Sequence, residues 1–379
     1  MPRQLSTQAW VGILVVAAIA AGGWAYWRLQ SQLSPPPLPE VAFAGPSRAL
    51  SELEVVPTLD TPVPTGKTLL WSSSFALAWR RLRDELAREP IRLEYAAAAV
   101  DRLNAADHAD TDWANGDLLA MAGLARQAFE SRLQRRYRSM FADRPLPTLP
   151  LRANEVALYA VGRLHPTFEH AFFVADEPLR FRDASGRTTA VRSFGLFEPA
   201  HGAGPLGKQM RVEYLGDEGQ EAGQPQWIVD LDRTSLPYQV LVGRLALRAT
   251  LAETWADLEA KRAEYAAQNR PERRVERLVV PTLSFRLEHR FRELESTDKH
   301  FLNPRLAGLH LGLAALHLEF RLDHQGTRPA PQATPAPSQG PTAALLADGP
   351  FLVAVKKRTA QQPIVLLWIA TADFLEKER

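Results

Sequence analysis

The chain has 379 residues, 46% of them hydrophobic and 23% charged, which excludes a wholly disordered chain, a collagen and a coiled-coil rod. Lys and Arg number 45 against 43 Asp and Glu, so the formal charge of +2 excludes a strongly basic nucleic-acid coat. With no cysteine, disulfides, thiolate zinc sites, iron–sulfur clusters and thiol nucleophiles are excluded as well.

Residues 1–8 form a short tail. From Ala9 to Trp27 there is no charged residue. In a helix this run spans about 28 Å, near the hydrocarbon thickness of a bilayer. Trp10, Trp24, Tyr26 and Trp27 sit at its ends, where interfacial aromatics belong, and Arg3 and Arg28 flank it. Residues 9–28 therefore read as a transmembrane signal anchor. A signal peptide cleaved near Ala18-Ile19-Ala20 is the alternative. The basic flanks are nearly balanced. The short tail, with everything else C-terminal, places the folded part outside the cytoplasm.

Residues 29–66 read as a linker. It contains Pro35, Pro36, Pro37, Pro39, Pro46, Pro57, Pro62 and Pro64. Polyproline-like chain of this length reaches about 100 Å. It serves either as a spacer or as plain attachment.

The globular part is expected over 67–375. Leu69 to Arg88 has helical spacing and stops before Pro90. Tyr95 to Asn104 is Ala-rich and helical. Asp117 to Phe141 reads as a third helix, with Leu118, Met121, Leu124, Phe129, Leu133, Tyr137 and Phe141 on one broad face. Arg126, Arg132, Arg135, Arg136 and Arg138 lie opposite, as a solvated face or a contact for acidic lipid or polyanion.

From Val156 the pattern changes to strands and turns. Val156 to Val161 is a continuous apolar run, as in a strand buried on both faces. Strands are predicted at Leu179 to Phe181, Val191 to Phe197, Met210 to Tyr214 and Trp227 to Leu231. Asp183-Ala184-Ser185-Gly186 and Gly216-Asp217-Glu218-Gly219 are turns between them. Leu245 to Ala267 returns to helix, with Leu247, Leu251, Trp255 and Leu258 on one side. Strands resume at Leu278 to Leu287, Leu316 to Leu322, Phe351 to Val355 and Ile364 to Ile369. Helices in the first third followed by strands predict an α+β fold with large mixed or antiparallel sheets.

No catalytic constellation is found. There is no HExxH pair, GxSxG elbow or GxxxxGKS/T loop. His165 and His170, separated by Pro166, suit neither one helix face nor one strand face. His108-Ala109-Asp110 and Asp110-Thr111-Asp112 have metal-like composition, but such runs usually cap the next helix. No enzyme activity, metal, cofactor, nucleic acid or small-molecule substrate is expected. The expected partners are a membrane, through residues 9–28, and a protein of unknown identity.

The second half resembles the serpins. Ala157-Leu158-Tyr159-Ala160-Val161-Gly162, continuing through Leu164 to Phe168, is similar to the family's central-strand signature Ala-Ile-Tyr-Phe-Lys-Gly followed by Trp and Phe. Leu164 stands where the family has Trp, and Val156 where it has Asn. Phe181, Gly186 and Val191 are similar to the next strand and hairpin. Leu236-Pro237-Tyr238 resembles its Leu-Pro-Tyr, and Val280-Pro281-Thr282-Leu283-Ser284-Phe285 its Leu-Pro-Lys-Phe strand. Asp323-His324-Gln325-Gly326-Thr327 stands where the family has Asn-Glu-Glu-Gly-Thr. Asp348-Gly349-Pro350-Phe351-Leu352 resembles the opening of its penultimate strand, and Ile364 to Ile369 its last strand. The resemblance covers about residues 69–370, with the proline-rich linker in place of the family's first helix.

The resemblance implies a reactive loop at 328–341, with Gly326 and Thr327 as its hinge and the cleavage position near Gln339 or Gly340. In inhibitory serpins the cleaved loop inserts as a new strand in the central sheet. Here Pro329, Pro331, Pro335 and Pro337 share the parity of Thr327. Proline cannot donate to a ladder. Four lost bonds cost about 2–6 kcal/mol. The hinge acids are replaced by His324 and Gln325. These residues point to a membrane-anchored, non-inhibitory, serpin-like interaction or scaffold protein. A serine-protease inhibitor with a degenerate hinge and an unrelated α+β envelope protein are the alternatives.

Overall fold

The computed structural model describes residues 52–378 except 142–145, 147, 148, 150, 151, 153, 200, 217–224, 236, 269–272 and 332–341. The expected anchor at 9–28 lies outside these residues, as do most of the linker and most of the loop at 328–341. Among the described residues no helix is long and apolar enough to cross a membrane.

Strand β1 (Leu53–Val55) runs parallel to β2 (Thr68–Ser72). Ser72 caps helix α1 (Ser73–Arg81), its Oγ accepting from the Ser74 amide at 3.3 Å. A wider π-helical turn, Leu82–Ala87, follows and ends at Arg88 in left-handed geometry. The single helix expected from Leu69 is thus corrected. Its first residues form a strand buried throughout and paired with the last strand of the chain. Helix α2 (Ala97–Ala105) comes next.

The helix expected over Asp117 to Phe141 is two elements, strand β3 (Leu118–Leu124) and helix α3 (Gln127–Met140). The run Leu-Leu-Ala-Met-Ala-Gly-Leu is apolar on both faces. Leu119 and Met121 pack under α3, while Ala120 and Ala122 face the main core. Burial on both sides favours a strand, because a helix would bury a single stripe. Phe129, Leu133 and Tyr137 are the buried face of α3, worth about 1.5–3 kcal/mol apiece. The five arginines expected on its outer side are all exposed.

Strand β4 (Glu155–Leu164) is followed by β5 (Phe168–His170) and β6 (Phe173–Val174). Strands β7 (Leu179–Arg182) and β8 (Thr188–Val191) form a hairpin, and β9 (Ser193–Leu196) follows. A short helix α4 (Pro205–Gln209) precedes β10 (Arg211–Leu215), β11 (Trp227–Asp230) and β12 (Tyr238–Arg244). Helix α5 (Leu251–Ala267) begins later than the Leu245 expected from spacing, because Thr250 caps it, Oγ1 accepting from the Glu253 amide at 3.0 Å. Strands β13 (Arg274–Pro281) and β14 (Leu283–Arg290) replace the one strand expected there, and they belong to different sheets. The chain closes with β15 (His310–Leu322), β16 (Gly326–Arg328), β17 (Thr342–Leu346), β18 (Phe351–Lys357) and β19 (Val365–Ile369).

The central sheet has the order β14-β15-β4-β3, and a seven-stranded sheet the order β1-β2-β19-β18-β12-β11-β10. A third sheet is ordered β17-β13-β9-β6. Alternation along β4 sorts its side chains. Val156, Leu158, Ala160 and Leu164 enter the main core, and Ala157, Tyr159 and Val161 pack under α3. On β18, Phe351, Val353 and Val355 enter the same main core, while Leu352 and Ala354 join Leu251, Trp255 and Leu258 of α5. The layers are therefore helix α3, central sheet, seven-stranded sheet and helix α5.

Candidate functional site

The expected loop hinge lies where β15 gives way to β16. Strands β15 and β4 pair in parallel from His310 opposite Glu155 to Phe320 opposite Leu164. No described strand lies between them, so the central sheet is closed along this seam. A bulge at Gly312 interrupts the register, and a Cβ there would stand 2.3 Å from the Glu155 carboxyl carbon. A side chain at 312 would therefore force Glu155 to move, and Glu155 is buried beside His310 Nε2 at 3.4 Å and accepts from the Arg152 amide at 2.8 Å.

At the other end, β16 continues the parallel pairing against β5, with Gly326 opposite Phe168 and Arg328 opposite His170. The Phe168 amide donates to the Gln325 carbonyl at 3.1 Å, and the Ala171 amide to that of Arg328 at 2.8 Å. Thr327 Oγ1 donates to the Glu169 carbonyl at 3.0 Å. The two backbones approach so closely that a Cβ on Gly326 would lie 2.2 Å from the Ala171 nitrogen. Glycine is needed at the hinge for this approach. The paired segment stops at Arg328, and Pro329, next in the chain, has no N–H to extend it.

Beneath the hinge lies Asp323, 2% exposed. Burial alone would raise its carboxyl. The nearby His165 ring, the Gln325 amide at 2.9 Å and the Arg321 guanidinium outweigh that and hold it at about 2. His165 Nε2 stands 3.8 Å from Asp323 Oδ1, longer than a hydrogen bond. Glu169 links β5 outward, its carboxylate accepting from Arg328 at 3.0 Å and from Thr234 Oγ1 at 2.9 Å. Gln209, buried at the end of α4, clamps His170 from both sides of its peptide. Its Oε1 accepts from the His170 amide at 2.7 Å, and its Nε2 donates to the His170 carbonyl at 3.1 Å.

Of the residues predicted for the loop, Gly326, Thr327, Pro329 and Pro331 are described, and the first two stand in β16. Pro335, Pro337, Gln339 and Gly340 lie outside the described residues. The supporting residues Glu169 and Gln209 were not identified from sequence, and Asp323 was named there only as the first residue of the hinge motif. Glu169 adjoins His170, Gln209 follows Lys208 and Asp323 precedes His324 and Gln325, so none stands apart from its polar neighbours in the sequence. His165 and His170 diverge, one toward Asp323 and the other on β5. Asp110 and Asp112 act locally. Asp112 Oδ2 accepts from the Ala109 amide at 3.0 Å, and Asp110 pairs with Arg80 at 3.2 Å and Arg81 at 2.5 Å. Among the described residues no three His, Asp or Glu side chains form a metal-binding group.

The motif residues stand where the resemblance requires. Ala157 to Gly162 occupy the middle of a central strand, and Phe351 and Leu352 open the penultimate strand. Val365–Ile369 is the last strand. Tyr238 begins β12, its hydroxyl donating to Asp117 Oδ2 at 2.7 Å and accepting from the Ala114 amide at 2.8 Å. The fold is serpin-like.

No family model and no curated protein matches the chain. Among solved structures it is similar to native protease nexin-1 with heparin, at 11% identity and a TM-score of 0.43, covering 64% of this chain and 65% of that one. It is similar to a thermophilic serpin, tengpin, in the native state, at 11% identity and 0.48, covering 82% and 90%. It is also similar to uncleaved ovalbumin, at 11% identity and 0.47, covering 81% and 94%. Likeness at this level concerns the fold alone. The serpin-like description rests on the chain's own motif positions and strand order.

Proposed function

We propose that this chain is a non-inhibitory, serpin-like interaction module, held at a membrane by residues 9–28 with its folded part outside the cytoplasm. The observation that carries this reading is the hinge, whose pairing ends at Arg328, immediately before Pro329 and Pro331. To insert, the loop would have to part the β4–β15 ladder. It would then offer a strand lacking donors at alternate positions. The proline-rich sequence at 328–341 suits a contact for a protein partner.

The test uses the full chain in detergent, nicked by a broad-specificity protease within 328–341. The expected result is an unchanged or lower melting temperature and no protease adduct. A large rise in melting temperature with an SDS-stable adduct would overturn the reading. The alternative it would then favour, an inhibitor with a degenerate hinge, draws support from the parallel start already made by Gly326–Arg328 on β5. The anchor is tested separately. Residues 9–28 should keep the chain in the membrane fraction through alkaline extraction, and a variant lacking them should be released.

A further inference from the structure

Helix α3 and Arg126 before it carry five arginines against one acid, Glu130. This stretch is more positive than the whole chain, whose formal charge is +2, so the rest of the chain is net negative. All five arginines are exposed. Among the described residues none of the five pairs with a carboxylate.

The helical period arranges them. Phe129, Leu133 and Tyr137 are buried beneath the helix. Arg132, Arg135 and Arg138 recur every three residues on the side turned to solvent. Ala128, Ser131 and Ser139 stand between them, small and uncharged. From Arg126 to Arg138 the charges spread over about 18 Å of helix axis. Like charges at three- and four-residue spacing destabilise a helix, so α3 gains nothing from them in folding. Their complement is a surface of dispersed negative charge, and an anionic bilayer is such a surface.

The tether brings that surface within range. Residues 29–51 join residues 9–28 to Glu52, and extended chain of that length reaches about 70 Å. A folded domain of this size is about 50 Å across. The α3 face can therefore meet the bilayer that holds the chain, at the high effective concentration of a linked site.

We propose that α3 is a second, electrostatic membrane contact, through which the folded domain lies on anionic phospholipid. The inference rests on the membrane reading for reach and concentration, and on the helix for its charge. Each arginine at such a surface strengthens binding about fivefold, and Arg132, Arg135 and Arg138 together about a hundredfold.

The experiment reconstitutes the full chain into vesicles of phosphatidylcholine alone or of an equal mixture with phosphatidylglycerol. Phenylglyoxal then modifies accessible guanidiniums, and mass spectrometry reads each arginine. Labelling of Arg132, Arg135 and Arg138 should be about tenfold slower on the mixed vesicles. It should recover in about 0.5 M salt, which shortens the screening length to about 4 Å. Arg248, exposed before α5 on the opposite outer layer, should label equally on both lipids. Arg132→Gln with Arg138→Gln removes about 25-fold of the binding and should leave Arg135 unprotected. The matching lysine pair keeps the charge and should keep Arg135 protected. Failure of the anchor would leave the chain off the neutral vesicles without abolishing the protection on anionic ones. Equal labelling of the α3 arginines on both lipids, protection shared by Arg248, or protection by soluble polyphosphate but not by the mixed vesicles would each overturn the proposal.

Discussion

Replacing Gly326 with alanine tests whether the hinge is held by close backbone approach. The new Cβ would meet three backbone atoms, the Ala171 nitrogen at 2.2 Å, the His170 carbonyl carbon at 2.4 Å and the Ala171 Cα at 2.8 Å. None belongs to a flexible side chain, so β16 must move off β5. Three hydrogen bonds are then at stake, Phe168 to Gln325, Ala171 to Arg328 and Thr327 to Glu169. At about 0.5–1.5 kcal/mol each, their loss amounts to about 1.5–4.5 kcal/mol. The lower end is expected, because Thr327 and Arg328 are exposed and water replaces part of the loss. The cost should fall on local opening. Hydrogen exchange at the Phe168 and Ala171 amides should accelerate about tenfold to a thousandfold, while the main core keeps its protection. Gly204→Ala is the control, since a Cβ there meets nothing within 4 Å. Unchanged protection at Phe168 and Ala171 in Gly326→Ala, matching the control, would refute the close-approach account.

Asp323 contributes stability while ionised. Its carboxyl is lowered from 3.8 to about 2 by the folded structure. That contribution is fully present above about pH 4 and is lost as pH falls toward 2. It amounts to about 2 kcal/mol, so Asp323→Asn should flatten the acid limb of a stability-versus-pH curve by that amount. Gly123→Ala should cost about 1–3 kcal/mol in denaturant melts, because the Cβ would lie 2.2 Å from the buried Phe129 ring that seats α3. Gln209→Ala should free the His170 peptide and raise exchange at the His170 amide about tenfold or more, whereas unaltered exchange would show that β5 holds without the clamp. Pro329→Ala with Pro331→Ala restores two amides. If proline alone stops the pairing, new exchange protection should reach residue 329, and none should appear if Arg328 is the end for another reason.

Much of this fold is readable in the chain, because strands buried on both faces are written as continuous apolar runs. Val156 to Val161 and Ile364 to Ile369 were legible for that reason, as was their order. The same property misleads at Leu118–Leu124, where a short apolar run precedes a true amphipathic helix and merges with it. Periodicity does not separate a buried strand from a buried helical turn. Only the neighbours, β4 on one edge and α3 above, decide it. Strand β12 went unread beyond its opening Tyr238, and Thr68–Ser72 was absorbed into the helix that follows it.

The site divides in the same way. Glycine and proline act through their own covalent structure, one lacking a side chain and the other an amide hydrogen. The close backbone approach at Gly326 and the missing amide hydrogens of Pro329 and Pro331 were therefore determined by the sequence itself. Partnership depends on distance between residues far apart in the chain. The hydrogen-bond partners of Asp323, Gln209 across the His170 peptide, and the contact between the Trp71 and His108 rings came only from the tertiary structure. Burial and hydrogen bonding are properties of the packed chain, and no local pattern of residues encodes them.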